Sequence, residues 1–315
     1  MDSKRLDKPI VSVGILTYNH GEYIAECLGN VFSQQGNFVM NVFICDDASQ
    51  DNTVAEVKRL ISETDFSDMI NVRLIENSVN LGVVQNFKKL TYMLDKGDYF
   101  TFCEGDDYWS DNGRIQTHID FLDENPEFAF SFNANCALDQ NTGDMFDNTN
   151  HEALPEGEIG KEDLIITNNI YNTIGNLGVG FYRASFLNDL NSELFDLPHC
   201  GDWMFNLAYS EFGKVGYIKK QMNVYRRHAG GIWSTMDQVS VIIQVLMLID
   251  EYNRFSQYSY DAKFQEVKVL LYAQMANAQN LHTAEVSHLR DMNSYLSQHN
   301  SSLLQHNSNL LRSTS

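Results

Sequence analysis

The chain has 315 residues, 43% of them hydrophobic, and a formal net charge of −20 from 22 Lys and Arg against 42 Asp and Glu. That length supports a sizeable core in one or two domains, and the acidic balance disfavours nonspecific binding to nucleic acid or to an anionic membrane surface. The opening MDSKRLDKPI carries no apolar signal region, and no apolar run approaches the length of about 18 residues that a membrane span needs.

Val11–Leu16 (VSVGIL) reads as a buried strand, and the helix after it places Tyr23, Ile24, Cys27, Leu28, Val31 and Phe32 on one face. Asn41–Cys45 is a second strand. Asn52–Glu63 is a second helix with Val54, Val57, Leu60 and Ile61 inward and Asp51 or Ser49 as its cap. Asn71–Glu76 is a third strand, Val83–Leu94 a third helix and Asp98–Cys103 a fourth strand. Strands alternating with helices of this length predict right-handed crossovers and a mostly parallel sheet. Arg114–Leu122 reads as an amphipathic helix packing on that sheet. Cys27, Cys45, Cys103, Cys136 and Cys200 form no CxxC pair and read as buried, reduced thiols of a cytoplasmic protein.

In open α/β sheets, ligands bind beyond the carboxyl ends of the strands. The first strand ends in Thr17, Tyr18 and Asn19, and the second in Asp46 and Asp47. The third leads to Glu76, Asn77 and Asn80, and the fourth to Glu104, Gly105, Asp106 and Asp107. A single acidic loop is more often a solvated turn, but four polar strand ends on one edge favour a site. There is no GxGxxG after the first strand and no GxxxxGK[ST]. Phosphates held here need another counter-charge, which a divalent cation on Asp106 supplies, because hard cations take carboxylate and phosphate oxygens together.

VSVGILTYNHGEYIAECLGNVFSQ, FICDDASQDNT, NLGVVQNF, FCEGDDYWSD, GNLGVGFYR, CGDWMF and YRRHAGGIWS follow one another across residues 9–235. In that order they resemble the motifs of family 2 glycosyltransferases. The resemblance implies a GT-A fold (a Rossmann-like, mostly parallel sheet flanked by helices) and an inverting transferase that uses Mg2+ or Mn2+. It implies that Thr17, Tyr18 and Asn19 line the nucleotide pocket, that Asp47 or Asp46 reads the base, and that Asn80 and Asn86 sit beside the diphosphate. Glu104 and Asp106 take the outer positions of the DxD motif, with Asp106 as metal ligand, Glu104 near the ribose and Asp107 adjacent. Asp202 falls where the family keeps its catalytic base, and His228 where many members place a histidine near the metal or diphosphate. Arg226, with Arg227 and His228, adds positive charge at the diphosphate. The chain departs from the pattern in having Glu104 for the commoner Asp, AGGIWS after His228, and Lys88 or Lys89 where an arginine is often found.

Each residue also has a plainer reading. Asp202 precedes an apolar run and suits a helix cap, and a lone histidine such as His228 is more often hydrogen-bonded than metal-bound. Trp109, Trp203 and Trp233 each follow a site motif and are acceptor-side candidates for stacking on a sugar, although core packing is the commoner use of Trp. Tyr18, at a strand end, is the better stacking platform.

The expected organisation is a transferase domain over 1–235, with a nucleotide-sugar half at 1–107 and an acceptor half at 108–235. A helical extension follows at 236–281 and a heptad-repeat helix at 282–315. Leu289, Leu296, Leu303 and Leu310 recur every seven residues, a coiled-coil signal that suggests self-association or docking to a partner enzyme. The segment Asn141–Glu158 reads as a mobile acceptor-side loop. The reading is a cytoplasmic enzyme, or one peripheral at the inner face of the membrane, that moves a sugar from a nucleotide-sugar donor to a hydroxyl of a growing glycan or lipid-linked saccharide. Its rivals are a nucleotidyltransferase on a related α/β fold and a non-catalytic sugar-binding scaffold recruited through the coiled coil.

Overall fold

Strand β1 (Ile10–Thr17) is buried along nearly its whole length, as a strand covered on both faces must be. It belongs to a computed structural model that describes residues 8–148, 151–152, 154–167, 170–231 and 236–278. Strands β2 (Val39–Asp46) and β3 (Ile70–Glu76) pair outward from β1, and β4 (Tyr99–Glu104) lies on its other side, all parallel. Helices α1 (Ile24–Phe32), α2 (Thr53–Glu63) and α3 (Val83–Thr91) make the crossovers. The register sets Thr17 opposite Asp46, Asp46 opposite Glu76, and Leu16 opposite Glu104. The polar strand ends therefore lie along one edge because the apolar strands before them pair without a slip.

Beyond β4 come β5 (Tyr108–Trp109), α4 (Arg114–Glu124), β6 (Phe128–Asp139), β7 (Met145–Asp147), β8 (Gly157–Ile159) and α5 (Lys161–Ile165). Then follow β9 (Ile166–Thr167), β10 (Ile170–Tyr171), β11 (Gly180–Arg183), α6 (Asp202–Tyr209), β12 (Lys214–Arg227), α7 (Gln238–Phe255) and α8 over 261–278. Among the described residues the sheet runs β3-β2-β1-β4-β11-β6-β12-β5, with β7 on β6 and β8 on β12, while β9 and β10 pair with each other. The parallel arrangement holds for β1 to β4. The second half is mixed: β11 is antiparallel to β4 and β6, and β12 is parallel to β6 but antiparallel to β5. β11 enters from a 3-10 turn at Leu177–Val179, and an antiparallel neighbour needs no crossover helix. One sheet spans both expected halves of the 1–235 unit. Two stretches of the expected 141–158 loop, β7 and β8, are paired in it.

Alternation along β4 divides the core. Phe100 and Phe102 join α3, α6, α7 and α8 on one face; Tyr99 and Cys103 join α1 and α4 on the other. Truncating Phe100 or Phe102 to Ala would cost about 3–5 kcal/mol. Gly14 sets the distance between β1 and α3, because a Cβ there would stand 3.0 Å from Leu90 Cδ2 and 3.1 Å from Leu94 Cδ1. Asp237 caps α7 by accepting from Val239 N and Ser240 N. Ile242, Val245, Ile249 and Tyr252 of α7 and Phe264, Val267 and Leu271 of α8 lie in the same core as Phe100. The helical extension thus packs into the main core. All five cysteines are buried and free. The leucine heptads of 282–315 lie outside the described residues. No helix among the described residues is long and apolar enough to cross a membrane.

Candidate active site

Two corners share the carboxyl edge of the sheet. In the outer one, Asp47 accepts from Leu81 N (2.8 Å), Gly82 N (2.9 Å) and Asn77 Nδ2 (2.8 Å). Asp46 accepts from Ser49 N (3.0 Å) and from its hydroxyl. Both are buried, with carboxylates spoken for by their own loops. Asn19 has a left-handed backbone, φ 56°, and its Oδ1 accepts from Gln50 N at 2.7 Å, stitching the end of β1 to the loop after β2. Asp51 stands one residue before Asn52, the N-cap of α2, and accepts from Thr53 N and Gly21 N, so it braces the start of the helix without being its cap. Asn80 Oδ1 accepts from Gly82 N. Tyr18 is 41% exposed at this edge, open on one side as a stacking platform requires.

The inner corner differs. Asp106 Oδ2 is hydrogen-bonded to His228 Nε2 at 3.1 Å and lies 3.6 Å from His20 Nε2. Burial raises the Asp106 carboxyl, but the His228 hydrogen bond and the nearby imidazoles outweigh it, and the net shift is downward. Glu104 is pushed up to about 8 by burial, then by Asp106 and Asp202. Its Oε2, with Thr17 Oγ1 and His20 Nδ1, is buried without a hydrogen-bond partner. Buried polar atoms are normally satisfied, so three orphans at one corner mark space for a polar guest. The donor set of Asp106 and His228 suits a divalent cation of the Mg2+ or Mn2+ class. Among the described residues no three His, Cys, Asp or Glu side chains form a ready metal cage. Such a cation would therefore take its remaining ligands from phosphate and water, the usual habit of Mg2+.

Asp202 opens α6, whose residues Trp203–Tyr209 are all buried. The N-cap is Gly201, so the plainer reading of Asp202 as a cap does not describe it. The carboxylate accepts from Trp203 N at 2.6 Å and from Asn172, yet burial prevails and raises it to about 6. Its negative charge adds to the upward push on the Glu104 carboxyl. A half-buried carboxylate with that proton affinity can take a proton near neutral pH.

Several expected site residues have their polar groups engaged within the protein. Asn86 is buried; its Oδ1 accepts from Cys45 Sγ and Asn77 Nδ2 and its Nδ2 donates to Cys45 O, fastening α3 to β2. Asp107 is buried and accepts from Arg226 N and Asn176 Nδ2. The Arg226 guanidinium is enclosed: it donates to Asp106 O, Gln140 and Glu26, and lies over the rings of Tyr23 and Tyr108. In this arrangement it holds the acidic loop. Trp109 and Trp203 are core residues, not acceptor-side platforms. Trp109 is fully buried under the Arg114 guanidinium, and Trp203 packs on Tyr252 and Phe264. Trp233 lies outside the described residues. Of the two lysines, Lys89 reaches Asn77 while Lys88 pairs with Asp196 at the surface. A cavity of about 510 Å3 lined by Asp98, Asp123 and Arg183 contains none of the expected site residues.

Sequence reasoning missed His20 and Asn176. His20 was signalled only by its place one residue past Tyr18-Asn19. Asn176, in GNLGVGFYR, reaches both Asp107 and Glu104, a link that no local pattern announces.

The family described as Glycosyl transferase family 2 matches residues 12–172. An uncharacterised protein of Mycobacterium tuberculosis (strain ATCC 25618 / H37Rv) is 29% identical over 226 residues, 71% of this chain and 60% of its own length. The chain thus spans about three fifths of that relative. An uncharacterised glycosyltransferase of Haemophilus influenzae is 24% identical over 232 residues, 70% of this chain and 66% of that one. Among solved structures, the mannosyltransferase PcManGT from Pyrobaculum calidifontis, in complex with GDP-Man and Mn2+, matches with a TM-score of 0.58 at 15% identity, covering 87% of this chain and 76% of that one. S. aureus TarS 1-349 in complex with UDP-GlcNAc matches with a TM-score of 0.56 at 18% identity, covering 85% and 79%. At these identities the structural likeness is one of fold.

Proposed function

The chain belongs to glycosyl transferase family 2, and from that premise we propose that it is a metal-dependent, inverting hexosyltransferase whose inner corner holds the donor's diphosphate. The observation that carries this reading is the Asp106–His228 pair at 3.1 Å, set beside the unpartnered Glu104 Oε2 at the carboxyl edge of the sheet. The solved mannosyltransferase of the same fold, with GDP-Man and Mn2+ bound, supports the choice of donor class and cation.

In this reading Asp106 and His228 hold Mg2+ or Mn2+, which when bound neutralises the charge that develops on the departing nucleoside diphosphate. Tyr18 stacks on the base. Asp202 takes the proton from the acceptor hydroxyl as its oxygen attacks the anomeric carbon, and the bond to the diphosphate breaks on the opposite face. One displacement inverts the centre and needs no covalent enzyme intermediate. The acceptor in this reading is a glycan or lipid-linked saccharide, met in the cytoplasm or at the inner membrane face, with 282–315 joining copies or a partner enzyme.

Incubation with a panel of nucleotide sugars and Mn2+ tests it. The expected product is a free nucleoside diphosphate. Pyrophosphate would instead identify a nucleotidyltransferase, and donor binding without turnover a scaffold.

A further inference from the structure

Asp106 Oδ2 lies between two imidazoles, hydrogen-bonded to His228 Nε2 at 3.1 Å and 3.6 Å from His20 Nε2. The rings meet edge to face with centroids 6.5 Å apart. The three groups come from separate places: His20 from the loop after β1, Asp106 from the loop after β4, and His228 from just past β12. Their side chains are only 18%, 19% and 8% exposed. The approach of His20 is built into the backbone. A Cβ on Gly105 would stand 2.8 Å from Thr17 Oγ1 and 2.9 Å from His20 Nδ1, so only glycine lets the acidic loop close on this imidazole. Thr17, 2% exposed, leaves its hydroxyl unpartnered at the same place.

An imidazole nitrogen has either a lone pair or a proton to offer. If His228 Nε2 turns its lone pair to a cation, it can no longer donate to Asp106. The carboxylate then lacks the partner that fixed its rotamer, and metal-binding carboxylates are themselves normally held by hydrogen bonds. His20 is the other imidazole beside that oxygen.

We propose that His20 is the positioning residue of the cation site: its Nε2–H holds Asp106 Oδ2 toward the cleft when His228 is committed to the metal. The proposal rests on the cation reading above. It makes the loop after β1 part of the metal site and couples its conformation to cation affinity.

Manganese binding, followed by electron paramagnetic resonance with Mn2+ alone and with UDP or GDP, tests it. His20→Leu keeps the bulk but has no donor, and should weaken Mn2+ about 10- to 100-fold, whereas His20→Gln keeps an N–H and should stay within about threefold of the wild type. Melting temperatures of the metal-free variants should agree, since a merely structural histidine would lower the melting temperature and leave Mn2+ affinity alone. Equal Mn2+ affinity in the Leu and Gln variants overturns the inference and leaves the cation reading standing. A wild-type protein that binds no Mn2+ under either condition overturns both.

Discussion

The two corners of the carboxyl edge have similar residues and opposite chemistry. In the outer corner Asp46 and Asp47 are filled by Ser49, Leu81 N, Gly82 N and Asn77. In the inner corner Glu104 Oε2, Thr17 Oγ1 and His20 Nδ1 have no partner at all. A buried carboxylate whose lone pairs are taken by its own backbone stabilises a loop. One that is left short stores unfavourable desolvation that a bound cation can relieve. The number of aspartates at a strand end therefore says less about function than where their hydrogen bonds go.

Substitutions should separate the corners, and the largest effect is expected at Asp202. Asp202→Asn should lower turnover by about 10²- to 10⁴-fold, the usual contribution of a general base, while Mn2+-dependent nucleotide binding persists. The same change should stabilise the protein. The folded carboxyl is raised from 3.8 to about 6, so its contribution to stability is full below about 4 and lost as pH rises through about 6. Removing the charge should therefore stabilise the protein above pH 6 by at most about 3 kcal/mol, read as a higher melting temperature. A variant with lower stability and intact turnover would place Asp202 among the structural carboxylates.

Asp47→Ala should destabilise by about 2–4 kcal/mol in urea unfolding, because two backbone N–H groups and Asn77 lose their acceptor. Glu104→Gln in metal-free protein should cost far less, because its Oε2 has no hydrogen-bond partner to lose. Equal losses would erase the distinction between the corners.

Turnover should fall about tenfold per pH unit below about 6, as Asp202 takes up the proton it must accept. A flat kcat/KM between pH 5 and 7 would remove it as the base. The smallest effect is expected at Trp109→Phe, about 1–2 kcal/mol of stability with unchanged KM for donor and acceptor, since the ring is core.

Much of this could be read in the sequence where structure follows from local pattern. β1 to β4 and their helices came from apolar runs and their period, and the ends of those strands name Thr17, Asp46, Glu104 and Asp106. What escaped depends on distant partners. Arg114 and His118 look like the polar face of an amphipathic helix, yet both are fully buried. Arg114 donates to Asn133, Asn223, Thr101 and the carbonyls of Gly178 and Gly180, and His118 is held between Ser131 and Asn133. Nothing near Arg114 in sequence announces partners on β4, β6, β11 and β12. Arg226 and Asn86 show the same dependence on distant partners: their residue types suit a phosphate, and Glu26, Gln140 and Cys45 engage them here. The antiparallel entry of β11, four residues long, left too short a run to reveal its direction.

The central claim is that Asp106 grips a cation that holds the donor's leaving group. The direct measurement is an anomalous difference map at the manganese edge from crystals grown with Mn2+ and a nucleoside diphosphate. The account predicts a peak within coordination distance of the Asp106 carboxylate and of His228 Nε2, with phosphate oxygens completing the shell. A nucleoside diphosphate bound along the edge with no manganese at Asp106 would contradict it.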